Sequence, residues 1–150
     1  MTARDYPPQV LREIARLAQA DPEREVCGFV IARPGGALDV VPVPNVAERY
    51  HEKDPRRFPR TARDSYLMDP LTQLRVLDEA AAQGGEVAAV YHSHVETGAY
   101  FSMKDREDAV VESIQQIPGA EYLVFGVTRG MVRERKRFVW DGRDFAEVAL

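Results

Sequence analysis

The chain has little of what marks secreted, membrane-spanning or nucleic-acid-binding proteins. A single cysteine, Cys27, excludes an internal disulfide framework, so we expect a cytoplasmic protein. No apolar run approaches the ~18–20 residues of a membrane-spanning helix, and the first residues do not predict a signal peptide. An excess of basic residues is also missing, since the net charge is −4, whereas nucleic-acid binders are usually basic. We therefore expect neither a membrane nor a nucleic acid as a partner, and the sequence carries no signal for the oligomeric state.

What is present fits one globular domain over residues 1–150. Hydrophobic residues make up 45% of the chain and charged residues 29%, which is ordinary for a soluble globular protein. A chain of this length buries roughly 68–70% of the surface that its unfolded form exposes, which is enough for a hydrophobic core of its own.

Apolar spacing and turn signals alternate between helices and strands along the chain. Asp69 and Pro70 supply an N-cap and a first turn, and the apolar run from Val87 to Tyr91 is typical of a strand buried on both faces. The alternation predicts an α/β fold. Helices are predicted over 7–20, from Pro70 to the glycines at 84–85, and from Ser102 to about Gln116. Two β-hairpins are predicted, one pairing 27–32 with 38–43 and the other pairing 122–128 with 131–140. A brief strand at 65–68, an edge strand at 145–150 and a long loop over 45–63 complete the prediction.

Two of the three histidines stand one residue apart directly after the buried strand. Residues two apart in a strand point to the same face, so His92 and His94 project together while Ser93 faces away. Neutral imidazole is a standard zinc ligand, and a catalytic zinc keeps three protein ligands and one exchangeable position. The pair predicts a metal site at the strand end, where α/β folds commonly place their sites. A hydrogen-bonded surface pair is the alternative.

Asp105 is the candidate third ligand. The intervening loop contains Gly98, and it would fold the start of the next helix back beside the histidines. A zinc ion held there would lower the pKa of its water toward ~7 and polarise a carbonyl, the two effects that a hydrolase needs. Ser102 and Asp105 also match a capping box with Ser102 as the N-cap. The two interpretations are compatible, because the cap would also orient Asp105.

The order of these residues resembles the signature of the JAMM (MPN+) metallopeptidases. Residues 92–105 match His-x-His, seven residues and then Ser-x-x-Asp, and the segment 25–28 is similar to the Glu-x-Cys-Gly segment of that family. The resemblance extends over nearly the whole chain and implies an MPN-like single domain with a mixed central β-sheet flanked by about three helices. Many members carry proline after the second histidine, where this chain has Val95. We expect this departure to change the loop geometry and not the metal binding.

The resemblance implies a role for each residue of the motif. His92, His94 and Asp105 would bind zinc. Glu25 would take a proton from the attacking water and later pass it to the leaving amine, which requires a carboxylate within hydrogen-bond reach. Ser102 would donate a hydrogen bond to the carbonyl oxygen as that oxygen gains charge.

Other residues near the motif have alternative interpretations. Glu23 is the fallback base, since it shares strand parity with Glu25, while Glu96 matches no family position. A solvated, charged strand entrance is the alternative for Glu23 and Glu25. Cys27 would be either a fourth ligand or a small buried hydrophobic residue, the commoner state of free cysteines. His51 is expected to be a solvated loop residue.

The resemblance also implies the kind of substrate. JAMM enzymes characteristically hydrolyse amide bonds after the C-terminal tail of ubiquitin or ubiquitin-like proteins, and compact stand-alone members resemble bacterial enzymes that process ubiquitin-fold sulfur carriers. We therefore expect a zinc metallopeptidase, a deubiquitinase-like isopeptidase, with a ubiquitin-like or sulfur-carrier protein as its partner. An extended tail would add as a strand beside the site. The arginines of the 49–63 loop would hold an acidic carrier surface, unless the neighbouring carboxylates make this a merely solvated loop.

Two other classes of function compete with a JAMM hydrolase. A zinc deaminase requires His-x-Glu and Pro-Cys-x-x-Cys, and a chain with one cysteine excludes it. A catalytically silent MPN-type interaction module stays open. Such modules usually lack the ligand set, whereas this chain keeps every donor.

Overall fold

The computed structural model of the chain describes residues 4–111 and 114–150. The elements in these ranges are α1 (Pro8–Ala20), β1 (Cys27–Ala32), β2 (Leu38–Val43), α2 (Ala47–Lys53), α3 (Pro70–Ala82), β3 (Glu86–Val95), α4 (Met103–Ala109), β4 (Val110–Val111), β5 (Ile114–Gln115), β6 (Glu121–Thr128), β7 (Met131–Trp140) and β8 (Phe145–Val148). None of the helices in the described ranges has the length and apolar character needed to cross a bilayer.

Six strands form one mixed sheet in the order β2-β1-β3-β6-β7-β8. The central pair, β3 and β6, is parallel, and all other neighbours in the sheet are antiparallel. Strands β4 and β5 form a separate two-stranded antiparallel ribbon. The predicted mixed α/β fold and both predicted hairpins are therefore confirmed.

Strand β3 is buried on both faces, as its apolar run predicted. On one face Tyr91 lies in a cluster with Ile14 of α1 and Phe125 of β6. On the other face Val90 packs in a cluster with Phe29 of β1 and Val76 of α3. Each large apolar side chain buried in this way contributes roughly 1.5–3 kcal/mol, so the two cores hold β3 at the centre of the molecule.

The ends of the two long helices follow the predicted signals. Pro8 occupies the first turn of α1. Asp69 caps α3 by accepting a hydrogen bond from the backbone N–H of Thr72 at 3.1 Å, with Pro70 in the first turn. Gly84, two residues beyond the helix, has a φ of +76°, a conformation that glycine adopts at little cost.

The predicted loop over 45–63 contains a short helix, α2, and in this respect the prediction was wrong. The helix is seven residues long and mostly polar, so it carries no clear apolar period. Its placement depends on tertiary contacts, among them an edge-on contact between the rings of Tyr50 and Phe58 at 5.0 Å. The predicted strand at 65–68 is reduced to one isolated bridge between Asn45 and Met68.

The third predicted helix is also shorter than expected, because α4 ends at Ala109 and not near Gln116. Val110 has extended backbone angles, φ −135° and ψ 124°, and the Val-Val pair continues as β4. Two consecutive β-branched residues favour a strand over a helix, and this preference outweighs the helical spacing of the apolar residues. Residues 112 and 113 of the predicted helix lie outside the described residues.

Candidate active site

The two histidines lie inside β3, near its C-terminal end. His92 stands opposite Cys27 of β1 and Val124 of β6, so the hydrogen-bonded centre of the sheet fixes its backbone. Both imidazoles are buried, and their Nε2 atoms are 3.1 Å apart. Ser93 points to the opposite face, as strand parity predicts, and its hydroxyl oxygen accepts the backbone N–H of Val26 at 2.8 Å.

The first turn of α4 brings a carboxylate to the histidines. Ser102 caps the helix by accepting the backbone N–H of Asp105 at 3.0 Å, and Asp105 Oδ2 accepts the N–H of Ser102 at 2.9 Å. The predicted capping box is therefore confirmed. The same Oδ2 atom lies 3.1 Å from Nε2 of His92 and 3.3 Å from Nε2 of His94. The cap thus aims the carboxylate at both rings.

These three side chains fit a tetrahedral zinc ion. Donors bound at ~2.0–2.1 Å in tetrahedral geometry lie about 3.3 Å from one another. The three distances among Nε2 of His92, Nε2 of His94 and Oδ2 of Asp105 are 3.1, 3.1 and 3.3 Å. Two imidazoles and one carboxylate are also a ligand set that zinc accepts in catalytic sites.

The hydrogen bonding of His94 supports a cation at this point. Its Nδ1 atom lies 3.0 Å from the carbonyl oxygen of Gly98, which only accepts, so Nδ1 carries the hydrogen. In the neutral ring, Nε2 then presents a lone pair to Asp105 Oδ2, another acceptor. A shared cation satisfies both atoms, and the bond to Gly98 is the outer contact that orients a metal-binding imidazole.

Glu25 is a second buried carboxylate beside the cluster. One of its carboxylate oxygens and one ring nitrogen from each of the two histidines all lie within 4.8 Å of one another, and only 6% of Glu25 is exposed. Burial, and then the charge of Asp105, raise the pKa of Glu25 to about 9. Burial alone would also raise the pKa of Asp105, but without a metal ion a protonated His92, and hydrogen bonds that both rings donate when protonated, outweigh burial and lower that pKa. Two buried carboxylates beside each other are an environment that favours a cation.

Glu23 and Glu96, the other two glutamates considered from the sequence, do not face the histidines. Glu23 lies in the turn before β1 and forms an ion pair with Arg63 on the surface, so the strand parity assumed for Glu23 does not exist. Glu96 follows β3 with a φ of +62°, and its carboxylate accepts the backbone N–H of Arg129 at 2.8 Å. Val95, in place of the usual proline, is buried and continues β3 by pairing with Val127.

Cys27 and His51 have no part in the cluster of donors. Cys27 is buried in the core, and its Sγ atom lies 3.3 Å from the carbonyl oxygen of Val43, as expected for a small hydrophobic residue with a weak donor. His51 is half-buried, and its Nδ1 atom lies 2.8 Å from the carbonyl oxygen of Phe58. The expectation of a merely solvated His51 was therefore wrong, because the ring ties α2 to the following loop.

Comparisons with known proteins agree with the motif and the fold. The sequence model described as prokaryotic homologs of the JAB domain matches residues 7–140. A desampylase from Haloferax volcanii is 30% identical over 151 residues, which cover 99% of this chain and 92% of that protein. This chain belongs to the prokaryotic JAB-domain family. The resemblance to JAMM proteins is thereby confirmed at the level of the family.

Two solution structures share the fold of this JAB domain. A protein from Desulfitobacterium hafniense superposes with a TM-score of 0.65 at 21% identity, covering 94% of this chain and 86% of that one. A protein from Salinibacter ruber superposes with a TM-score of 0.57 at 23% identity, covering 96% and 88%. At these identities the likeness shows the fold alone.

The JAB-domain site includes two aromatic walls that the sequence did not reveal. The ring of Tyr66 stacks on His92 with centroids 4.6 Å apart, and the ring of Tyr100 meets His94 edge-on at 4.7 Å. Neither tyrosine belongs to the motif, and the direction of a loop side chain has no periodic signal. Together with Glu25, both tyrosines line a cavity of about 100 Å³. The other residues lining it are Arg60, Arg63, Asp64, Ser65, His94, Val95, Thr97, Ser102, Lys104 and Asp105.

Proposed function

We propose that this JAB-family protein is a zinc-dependent hydrolase that cleaves peptide or isopeptide bonds after the C-terminal tail of a ubiquitin-like or sulfur-carrier protein. The observation that carries the proposal is the convergence of His92, His94 and Asp105 on one point beside the buried carboxylate of Glu25. The Haloferax relative, a desampylase, supports an enzyme that acts on protein conjugates. A cytoplasmic location stays an expectation from the single cysteine.

His92, His94 and Asp105 would hold the metal ion. When bound, zinc supplies a Lewis acid that polarises the scissile carbonyl and makes a water molecule more acidic. The chain contributes rigidity, because two donors lie within a paired strand and the third is locked by the cap of α4. Because the donors are already held in binding geometry, they do not have to be ordered when the metal ion binds.

Glu25 would move the proton. Its carboxylate accepts a proton from the attacking water as the new carbon–oxygen bond forms. The same carboxyl group then gives that proton to the amine nitrogen as the carbon–nitrogen bond breaks. The pKa of Glu25 is about 9 when no cation is bound. A divalent cation beside it would lower this pKa and so favour the carboxylate form, which accepts the proton.

Ser102 would stabilise the carbonyl oxygen. Its oxygen already accepts the N–H of Asp105, so the hydroxyl hydrogen remains available for donation. The side chain of Ser102 lines the same cavity as Asp105. A donor fixed in this way stabilises an oxygen that gains negative charge in the transition state.

The charges of the 49–63 loop bear on the substrate surface. Arg63 forms an ion pair with Glu23, which lies outside the loop, so the charge of this arginine is already neutralised. Arg60 lines the cavity, and its charge favours the ionised form of Glu25. This supports a local basic contact for the substrate and not a broad basic surface.

Metal analysis and a cleavage assay on the same preparation test the proposal. The substrate is a ubiquitin-like protein ending in Gly-Gly, joined through an isopeptide bond to a fluorescent lysine peptide. We expect one zinc per chain and release of the lysine peptide, with neither in Asp105→Ala. A zinc content far below one per chain, with no cleavage, would favour the silent interaction module instead.

A further inference from the structure

Asn45 follows β2 and uses all four hydrogen-bonding positions of its side-chain amide. Its Nδ2 atom donates to the carbonyl oxygens of Glu25 at 2.8 Å and of Ser65 at 3.0 Å. Its Oδ1 atom accepts the backbone N–H groups of Ala47 and Leu67, both at 3.0 Å. An amide offers two donors and two acceptor positions, so the side chain is fully satisfied and can hold only one orientation.

The segment that carries Glu25 depends on such contacts. Strand β1 begins at Cys27, two residues later, so the strand ladder does not fix the backbone of Glu25. Its N–H donates to the carbonyl of Ala62 at 2.7 Å, and its carbonyl accepts from Asn45. The next residue, Val26, is tied to Ser93 of β3.

The second donor of Asn45 links this segment to a wall of the cavity. It binds the carbonyl of Ser65, whose neighbour Tyr66 stacks on the ring of His92. One side chain therefore spans the base on one side and the aromatic wall on the other. The amide of Asn45 therefore forms a bridge between the backbone of Glu25 and the residue beside Tyr66.

We propose that Asn45 is the positioning residue for Glu25, an inference that rests on the proposed function. It does not touch the substrate, and it acts by holding the Glu25 backbone so that the carboxylate lies at the donor cluster. A misplacement of about 1 Å in a catalytic group costs about 10²-fold in rate. We expect Asn45→Ala to lower kcat by about 10- to 100-fold, with KM changed less than about threefold and one zinc still bound per chain.

Asn45→Asp separates the two halves of the bridge. Aspartate has the same shape and keeps the acceptor for Ala47 and Leu67, but it loses both donors to Glu25 and Ser65. If Asn45 only supports the local loop, this variant keeps its kcat. If Asn45 positions Glu25, kcat falls as in Asn45→Ala. Val76→Ala in α3 is the control, since it removes a buried side chain from the core, outside the cavity, and so destabilises the protein without touching the bridge.

Amide hydrogen exchange over residues 23–27 gives a readout that is independent of activity. Loss of the bridge should speed exchange in this segment in both Asn45 variants, whereas Val76→Ala should leave it unchanged. Unchanged exchange and kcat in the Asn45 variants would overturn the inference, and so would loss of zinc, which would place Asn45 in support of the ligands.

The failure of the proposed function gives a different pattern. A wild-type chain that binds zinc but cleaves no isopeptide substrate overturns the proposed hydrolase. The exchange data then decide the Asn45 inference alone: faster exchange over 23–27 with zinc retained supports its hold on Glu25, and unchanged exchange refutes it.

Discussion

A single oxygen, Oδ2 of Asp105, accepts the backbone N–H of Ser102 and also faces both imidazoles of the histidine pair. The reciprocal bond, from the N–H of Asp105 to the Ser102 hydroxyl, closes the cap. Helix capping and the proposed metal binding therefore use the same side chain in the same rotamer. The site cannot lose its carboxylate without also weakening the start of α4.

Asp105→Ala tests this double use. We expect loss of zinc and of hydrolysis, together with a loss of about 1 kcal/mol in the free energy of unfolding of the metal-free protein, because alanine cannot accept the N–H of Ser102 and half of the capping box is lost. Metal analysis, the cleavage assay and chemical denaturation with a chelator present measure the three effects. A variant that keeps one zinc per chain would exclude Asp105 as a ligand.

We expect the Ser102→Ala protein to bind zinc as the wild type does but to have a lower kcat. Removal of one oxyanion donor costs roughly 10²–10³-fold in kcat, and loss of the N-cap costs about 1 kcal/mol of stability. Ser102→Thr is the matched control, because threonine keeps the hydroxyl and the cap. Equal kcat in Ser102→Ala and the wild type would remove Ser102 from the chemistry and leave it as a cap alone.

Glu25→Gln separates the base from the ligands. Glutamine keeps the shape but cannot accept the proton, so we expect one zinc per chain and no measurable amide hydrolysis. Glu23→Gln is the control, and its surface pairing with Arg63 predicts full activity. Hydrolysis by the Glu25→Gln protein at the wild-type rate would exclude Glu25 as the base.

The same substitution predicts a pH-dependent gain in stability of the metal-free protein. The pKa of Glu25 is about 9 in the fold and 4.5 at its ordinary value, so the unfolded chain releases this proton first as the pH rises. Wild-type stability therefore falls between about pH 4.5 and 9, by up to about 1.4 kcal/mol per pH unit, whereas glutamine removes this slope. Denaturation of both proteins with a chelator present should show a gap that widens by on the order of 2–4 kcal/mol from pH 5 to pH 8. Parallel curves would contradict a desolvated Glu25.

The parts of the site that the sequence predicted are those governed by short-range rules. The period of two in a strand is enough to place His92 and His94 on one face, and three-residue capping geometry is enough to aim Asp105. Neither rule requires knowledge of distant segments. Both features are present in the structure as expected.

The parts that escaped prediction depend on contacts between distant segments. The bond between Asn45 and Glu25 joins residues 20 positions apart, and the stacking of Tyr66 on His92 joins a loop to a strand 26 positions further along the chain. Helix α2 was missed because its seven polar residues carry no period. The early end of α4 was missed because the β-propensity of Val110 and Val111 competes with helical spacing, and the sequence does not reveal which preference wins.

The spacing of the site residues along the chain gives them different folding histories. His92 and Asp105 are 13 positions apart, a loop that closes quickly, whereas the contact of Val26 with Ser93 that brings in Glu25 spans 67 positions. Contacts of long sequence separation form late, since more chain entropy must be lost to close them. We therefore expect the loop between the histidines and Asp105 to close before the contact that brings in Glu25. A partly folded chain would then bring the proposed metal ligands together before it gains the proposed base.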